Sequence, residues 1–213
     1  VKIISVNIGK SRKVQWRNKA IETGIFKFPV DHGIELGKED VVDDDVVDRR
    51  YHGGIDKAVY LYSADHYAFW KNKYPDLEWD YGMFGENITL SGLNEKEIQI
   101  GDIFQIGDCR IQISQPRQPC FKLGIRFESQ KIVKDFINQP FPGLYARVIE
   151  TGTVYKNDTM RLSERLHNSI GLIEVWDLLY KPDPDIDLLE YAVDHQHLAE
   201  DCKASLRKRL SNI

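Results

Sequence analysis

Cysteine is scarce in this chain, and the three present, Cys109, Cys120 and Cys202, form no CxxC pair. An odd number at these spacings argues against a disulfide framework and a zinc ribbon, and it leaves at least one thiol free in a reducing cytoplasm. No run approaches the roughly 18 consecutive apolar residues that cross a bilayer. The opening segment, Val1 to Ile8, has the pattern of a strand and not of a signal peptide. A cytoplasmic protein with no membrane partner is therefore expected. Positive charge is not in excess either: 29 Lys and Arg face 33 Asp and Glu, for a net charge of −4. Nothing in that balance draws the whole chain to nucleic acid, although local basic clusters remain free to hold a small anion. There is no internal repeat and no low-complexity tract. With 42% hydrophobic and 29% charged residues over 213 positions, the chain has the composition of a packed globular protein.

Short strand signals dominate residues 1–160. Ile98 to Ile100 is followed by Gly101-Asp102, then Ile103 to Ile106, then Gly107-Asp108. Cys109, Ile111 and Ile113 then alternate with Arg110, Gln112 and Ser114. That is the period of a half-buried strand, and the Gly-Asp pairs supply the turns. Closely spaced strands broken by turns favour a barrel over a parallel sheet. Two helices interrupt the pattern. Ser63 caps one that places Tyr67, Trp70 and Tyr74 on a shared face, and Ser129 caps one carrying Ile132, Val133, Phe136 and Ile137. Residues 161–213 change texture to three short helices, a separate unit packed on the barrel or on a partner chain. The expected fold is mainly β, with a few peripheral helices and a small C-terminal three-helix unit.

Chemistry concentrates in Gln115-Pro116-Arg117-Gln118-Pro119-Cys120-Phe121-Lys122. The two prolines stiffen the backbone on either side of Gln118, so Cys120 leaves the loop in a defined direction. Arg117 and Lys122 favour its thiolate, a soft donor for a metal. The alternative, a buried cysteine acting as a small hydrophobe, is the natural reading of Cys109 and Cys202 and stays open for Cys120. Arg49 to Tyr60 contains His52-Gly53-Gly54 and Lys57. Adjacent glycines can present backbone N–H groups to an anion, Lys57 can add charge, and His52 can donate a hydrogen bond or carry a proton. The same glycines are also ordinary turn punctuation. In Gly85-Glu86-Asn87, Asn87 can offer its amide to a ligand, or the segment is simply a turn. His195 and His197 lack a third ligand at zinc-like spacing and read as surface residues. Asp43-Asp44-Asp45 reads as a solvated loop.

In this order, His52-Gly53-Gly54 with Lys57-Ala58-Val59-Tyr60, Gly85-Glu86-Asn87-Ile88-Thr89, Gly101-Asp102 and Gln115 to Cys120 resemble the MOSC family. The family is named for the C-terminal domain of molybdenum cofactor sulfurase. More narrowly, the chain is similar to the stand-alone bacterial YiiM-type members, which carry three C-terminal helices. One departure is Asp43-Asp44-Asp45, where relatives often have Gly-Asp-Gly. The resemblance covers nearly the whole chain but brings no pyridoxal-phosphate domain, so cysteine desulfuration is not expected.

The resemblance implies a MOSC-type β-barrel over 1–160 that binds a molybdenum–molybdopterin cofactor, with Cys120 as the metal ligand. Gly53, Gly54, Lys57, Arg117 and Arg147 would hold the cofactor, and His52 and Asn87 would hydrogen-bond the substrate. It implies reduction of N-hydroxylated compounds, such as hydroxylaminopurines and amidoximes, a detoxifying chemistry. The sequence holds no flavin or nicotinamide fingerprint, so electrons would come from a separate flavin or iron–sulfur reductase. A homodimer is compatible with this reading. Two other readings remain: a carrier of cofactor or sulfur without turnover, and a metal-free thiol enzyme using Cys120 with His52 as base.

Overall fold

The computed structural model describes residues 1–48 and 52–213, so Arg49, Arg50 and Tyr51, which open the His-Gly-Gly segment, lie outside the described residues. The N-terminal part contributes β1 (Lys2–Ile8), a hairpin of β2 (Arg12–Trp16) and β3 (Lys19–Thr23), then β4 (Phe28–Pro29) and β5 (Ile34–Leu36). Next come β6 (Val59–Ser63), α1 (Tyr67–Lys73), β7 (Ile88–Ser91), β8 (Ile103–Ile106) and β9 (Cys109–Pro116). Two short helices, α2 (Phe121–Arg126) and α3 (Lys131–Ile137), precede β10 (Leu144–Glu150), β11 (Gly152–Val154) and β12 (Met160–Glu164). The chain ends in α4 (Leu172–Tyr180), α5 (Ile186–Asp194) and α6 (Glu200–Leu210).

Eight strands form one sheet in the order β12-β8-β9-β10-β6-β7-β1-β4. All neighbours are antiparallel except β6 and β7. The expected barrel is therefore not a continuous ladder. An isolated Lys2–Thr159 bridge spans the gap, helped by Ile3 N–H to Asp158 O and Asn157 N–H to Ile3 O, each 2.9 Å. At its other side β12 pairs with β8, with a register shift between Leu162 and Glu164.

Every residue of β6 is buried. Its period-2 alternation divides two cores. Val59 and Leu61 enter an aliphatic core, whereas Tyr60 and Tyr62 enter an aromatic cluster with Tyr67, Trp70, Phe84, Phe127 and Phe136. Tyr62 accepts a hydrogen bond from Trp70 Nε1 at 2.7 Å, satisfying the buried indole. Ser63 caps a 3₁₀ turn that leads into α1. For the next helix the cap position falls on Gln130, because Ser129 contributes its carbonyl instead of its hydroxyl.

The three C-terminal helices pack on the sheet of their own chain. Leu172, Val175, Leu189, Cys202 and Leu206 share the aliphatic core with sheet residues such as Ile111 and Ile113. Polar ties reinforce the contact: Trp176 Nε1 donates to Gln139 O at 2.9 Å and Ala199 N–H to Ser114 O at 3.1 Å. His195, expected at the surface, is buried. Its Nδ1 accepts the His197 N–H at 3.3 Å and its Nε2 meets Ser169 Oγ at 2.9 Å. A polar sequence window conceals this, because the burial comes from the turn between α5 and α6 folding back on the sheet.

Candidate functional site

The last residues of β9 deliver Arg117, and the stiffened loop after it ends at Cys120. That residue is extended and stands just before α2, but its side chain caps nothing in that helix. The thiol is left for other partners. His52 Nε2 lies 3.6 Å from Cys120 Sγ, within reach of a weak sulfur hydrogen bond. The sequence did not show that a helix begins at Phe121. Pro119 supports that start, since its fixed φ holds the backbone extended before the turn.

Two connected hollows meet at this thiol. An inner cavity of about 90 Å³ is lined by Lys27, Asp44, Asn87, Arg117 and Cys120. An outer cleft of about 540 Å³ runs past Gln115, Gln118 and Pro119 to Asp201 and Ser205 of α6. His52, Lys57, Cys120, Lys122 and Tyr145 line both. The three-helix unit thus forms a wall of the site.

Gly53 and Gly54 have φ of 75° and 79°, a region closed to most side chains. A Cβ on Gly53 would press on Val46, but in front of Gly54 there is open space. A ligand could approach that backbone unobstructed. Beyond it, Ile55–Lys57 makes a single 3₁₀ turn. Lys57 points back to the site and pairs with Asp201 at 2.6 Å.

Arg117 is buried, with its guanidinium 5.3 Å from the ring centres of both Tyr60 and Phe136. One of its terminal nitrogens, Nη1, has no hydrogen-bond partner in the structure. Nearby, the buried Gln115 Oε1 is also unpartnered. Buried polar atoms are rarely left so; Arg117 lines the inner cavity and Gln115 the outer cleft.

Burial pushes the His52 imidazole down to about 4, and the positive Lys122, Arg117 and Lys57 push in the same direction against Asp48. At neutral pH the ring is uncharged. It can hold Cys120 by a hydrogen bond, but it is a poor acceptor of a proton.

Asn87 lines the inner cavity, yet its amide is fully committed. Its oxygen accepts Tyr60 N–H at 3.3 Å, and its nitrogen donates to Asp44 Oδ2 at 3.1 Å and Asn7 O at 3.4 Å. The expected substrate contact is thus a brace instead. Glu86 is a brace as well, buried and receiving Gly82 N–H, Phe84 N–H, Thr89 Oγ1 and the Tyr67 hydroxyl. Burial holds its carboxyl above the usual range.

Arg147, expected at the cofactor, does not line either hollow. Its guanidinium binds Asp56 at 2.7 Å, Gln112 at 3.2 Å and the His197 carbonyl at 2.7 Å. Tyr145 occupies the cavity instead. The two residues share a face of β10, but Arg147 lies about 7 Å further along, beyond the rim.

The structure also adds residues that the sequence hid. Lys27 is buried between Phe26 and Phe28 and forms an ion pair with Asp44. Asp44, read as part of a solvated loop, is itself buried and accepts Gly9 N–H at 2.8 Å. The only sequence signal was a lysine inside an apolar run. Its partner, 17 residues away, could not be identified from spacing.

Comparison with known proteins agrees with this architecture. A MOSC domain model matches residues 48–161 and a YiiM-like three-helix domain model matches 172–212. YflK of Bacillus subtilis (strain 168), an uncharacterized protein, is 34% identical over 99% of this chain and 95% of its own. A protein named reductase from Gibberella moniliformis is 35% identical over 65% of this chain but only 25% of its own length. The crystal structure of YiiM from Geobacillus stearothermophilus superposes with a TM-score of 0.81 at 29% identity, over 98% of both chains. With the motif segments, the sheet and the helical unit all matched along its length, the chain belongs to the MOSC family.

Proposed function

We propose that this protein is a molybdenum-cofactor-dependent reductase of N-hydroxylated compounds, with Cys120 as the thiolate ligand of the metal. MOSC domains are associated with that cofactor, and one matching relative bears the name reductase. The observation that carries the reading is the buried Arg117 with a partnerless Nη1 beside the cavity that exposes Cys120. That cavity asks for an anion next to a thiol. The dithiolene and phosphate of a molybdenum–pterin answer both requirements, and the outer cleft lies in the size range of cofactor pockets.

Residues present fit the group. Arg117 and Lys122 would balance its phosphate, with Lys57 turning from Asp201, and Gly53, which lines the inner cavity, would meet it with its backbone. Cys120 would ligate the metal through its soft sulfur. When bound, the cofactor would supply a two-electron reduction of the N–O bond, its electrons restored by a separate flavin or iron–sulfur protein. His52, uncharged, orients the Cys120 sulfur. Asn87 and Asp44 keep the inner wall rigid, and the two protons needed to release water enter from solvent through the outer cleft.

The thiol-enzyme alternative loses ground to the His52 environment. A nucleophilic Cys–His pair needs an imidazolium that the site can tolerate, and three cations with burial oppose it. The test is molybdenum content by metal mass spectrometry on wild type and Cys120→Ser from a cofactor-competent host. Near-stoichiometric metal lost in the variant supports the reading. Metal-free wild type with cofactor supply verified would sink it. Metal retained with no reduction of hydroxylamines by a viologen dye would assign a carrier role instead.

A further inference from the structure

The hairpin of β2 and β3 stands apart from the large sheet, because its strands pair only with each other. Arg17 and Asn18 at its tip both have positive φ, 48° and 62°, between the paired Trp16 and Lys19. That is the tight primed turn whose twist suits a hairpin, so the arm is rigid. From residue 10 to 23 it carries Lys10, Arg12, Lys13, Arg17 and Lys19 against the single acid Glu22, in a chain of net charge −4. Lys13, Arg17 and Lys19 are exposed, and among the described residues no carboxylate forms an ion pair with any of them.

The arm reaches the rim of the Cys120 site. Ala20, Ile21 and Glu22 of the arm line a groove together with Val47, Asp48, Phe121 and Lys122. Phe121 and Lys122 also line the outer cleft. Phe121 is 48% exposed and Val47 38%, so apolar contact area lies in a groove of mixed charge beside the basic arm. The positive surface continues under the arm. Arg12 and Arg126 both stack on Phe26, and Arg126 Nε has no hydrogen-bond partner. Two guanidiniums on one ring repel each other, which leaves this edge short of negative charge.

We propose that the β2–β3 hairpin and the Phe121 rim are the docking surface for the electron-donor protein, an acidic flavin- or iron–sulfur-containing carrier. The inference rests on the reductase reading, since R–NHOH + 2 e⁻ + 2 H⁺ gives R–NH₂ + H₂O and no electron source lies in this chain. A small basic arm beside an exposed apolar groove suits a weak, fast, electrostatically steered encounter. Its place beside the thiol puts the incoming carrier next to the redox centre. The net negative charge of the chain argues against an extended polyanion, which would meet repulsion beyond the patch.

The experiment is titration of the purified holoprotein with an acidic flavodoxin-type protein, at low and moderate salt, with no substrate present. Wild type is compared with the combined Lys13→Gln, Arg17→Gln and Lys19→Gln variant. We expect the variant to bind about tenfold more weakly at low salt, with a flatter salt dependence. Turnover driven by a small viologen dye should stay within about twofold, because no altered residue lines the site. Equal binding by both proteins, or binding that ignores salt, overturns the proposal. So does tighter, hairpin-dependent binding to anionic phospholipid vesicles or duplex DNA than to the carrier. Failure of dye-driven reduction in wild type would instead condemn the reductase reading on which the proposal stands.

Discussion

Lys27 and Arg117 are two buried cations that line one cavity, and they are treated differently. Lys27 is matched: Asp44 pairs with it, and Asp44 is in turn held by Gly9 N–H and Asn87 Nδ2. Arg117 is stacked on rings but keeps Nη1 without a partner. A folded chain that can satisfy one buried cation has the means to satisfy the other. Under the proposed cofactor reading the second is completed from outside the chain, and the two cations would mark a structural wall and a binding wall.

The strongest way to break that contrast is Asp44→Ala. It leaves Lys27 buried and unpaired, and the loss should be about 3–5 kcal/mol, read from the urea midpoint. If stability barely changed, the wall assignment would be wrong. Next in size is the pH dependence of folding. His52 sits near 4 when folded and at its ordinary 6.5 when unfolded. Above 6.5 both states are neutral there and the ring contributes no pH dependence. Between 6.5 and 4 only the unfolded state takes up the proton, so stability should fall by roughly 3 kcal/mol, levelling off below 4. His195 and His197, also lowered by burial, add in the same direction. His52→Asn should flatten the curve in guanidinium titrations across this window, and an unchanged curve would place the His52 ring in water.

Asn87→Ala should cost about 1–3 kcal/mol, because it strands Tyr60 N–H and removes one of the two donors to Asp44 Oδ2. Its effect on substrate KM should be small once the protein is folded at low temperature. A large KM change with intact stability would return Asn87 to a substrate role. The smallest stability effect belongs to Arg117→Met, within about 1 kcal/mol, because an apolar chain of similar length removes a buried charge with an unpartnered nitrogen. The same variant should lose most of its bound cofactor in metal analysis. A stable variant that kept its cofactor would end the distinction between the two cations.

Much of the site was legible in the residues. Cys120 behind paired prolines, the glycine pair at 53 and 54, and the aromatic stripe of Tyr67 and Trp70 are local signals, and the structure uses them locally. What escaped depended on distance. Asp44 needed Lys27, and His195 needed the sheet beneath it. Arg147 was attractive because of its charge, but Asp56, Gln112 and His197 claim that charge. Tyr145, two residues earlier and uncharged, took the place at the cavity.

The amino-acid sequence by itself determined the β-rich character, the three terminal helices and the thiol, since periodicity, turn residues and proline act over a few positions. Only the tertiary structure decided which buried cation is paired and which keeps a nitrogen without a partner. It also decided that α6 walls the cleft and that the sheet closes through one bridge. Those outcomes depend on which groups end up within a few ångströms after folding, and sequence separation does not encode that distance.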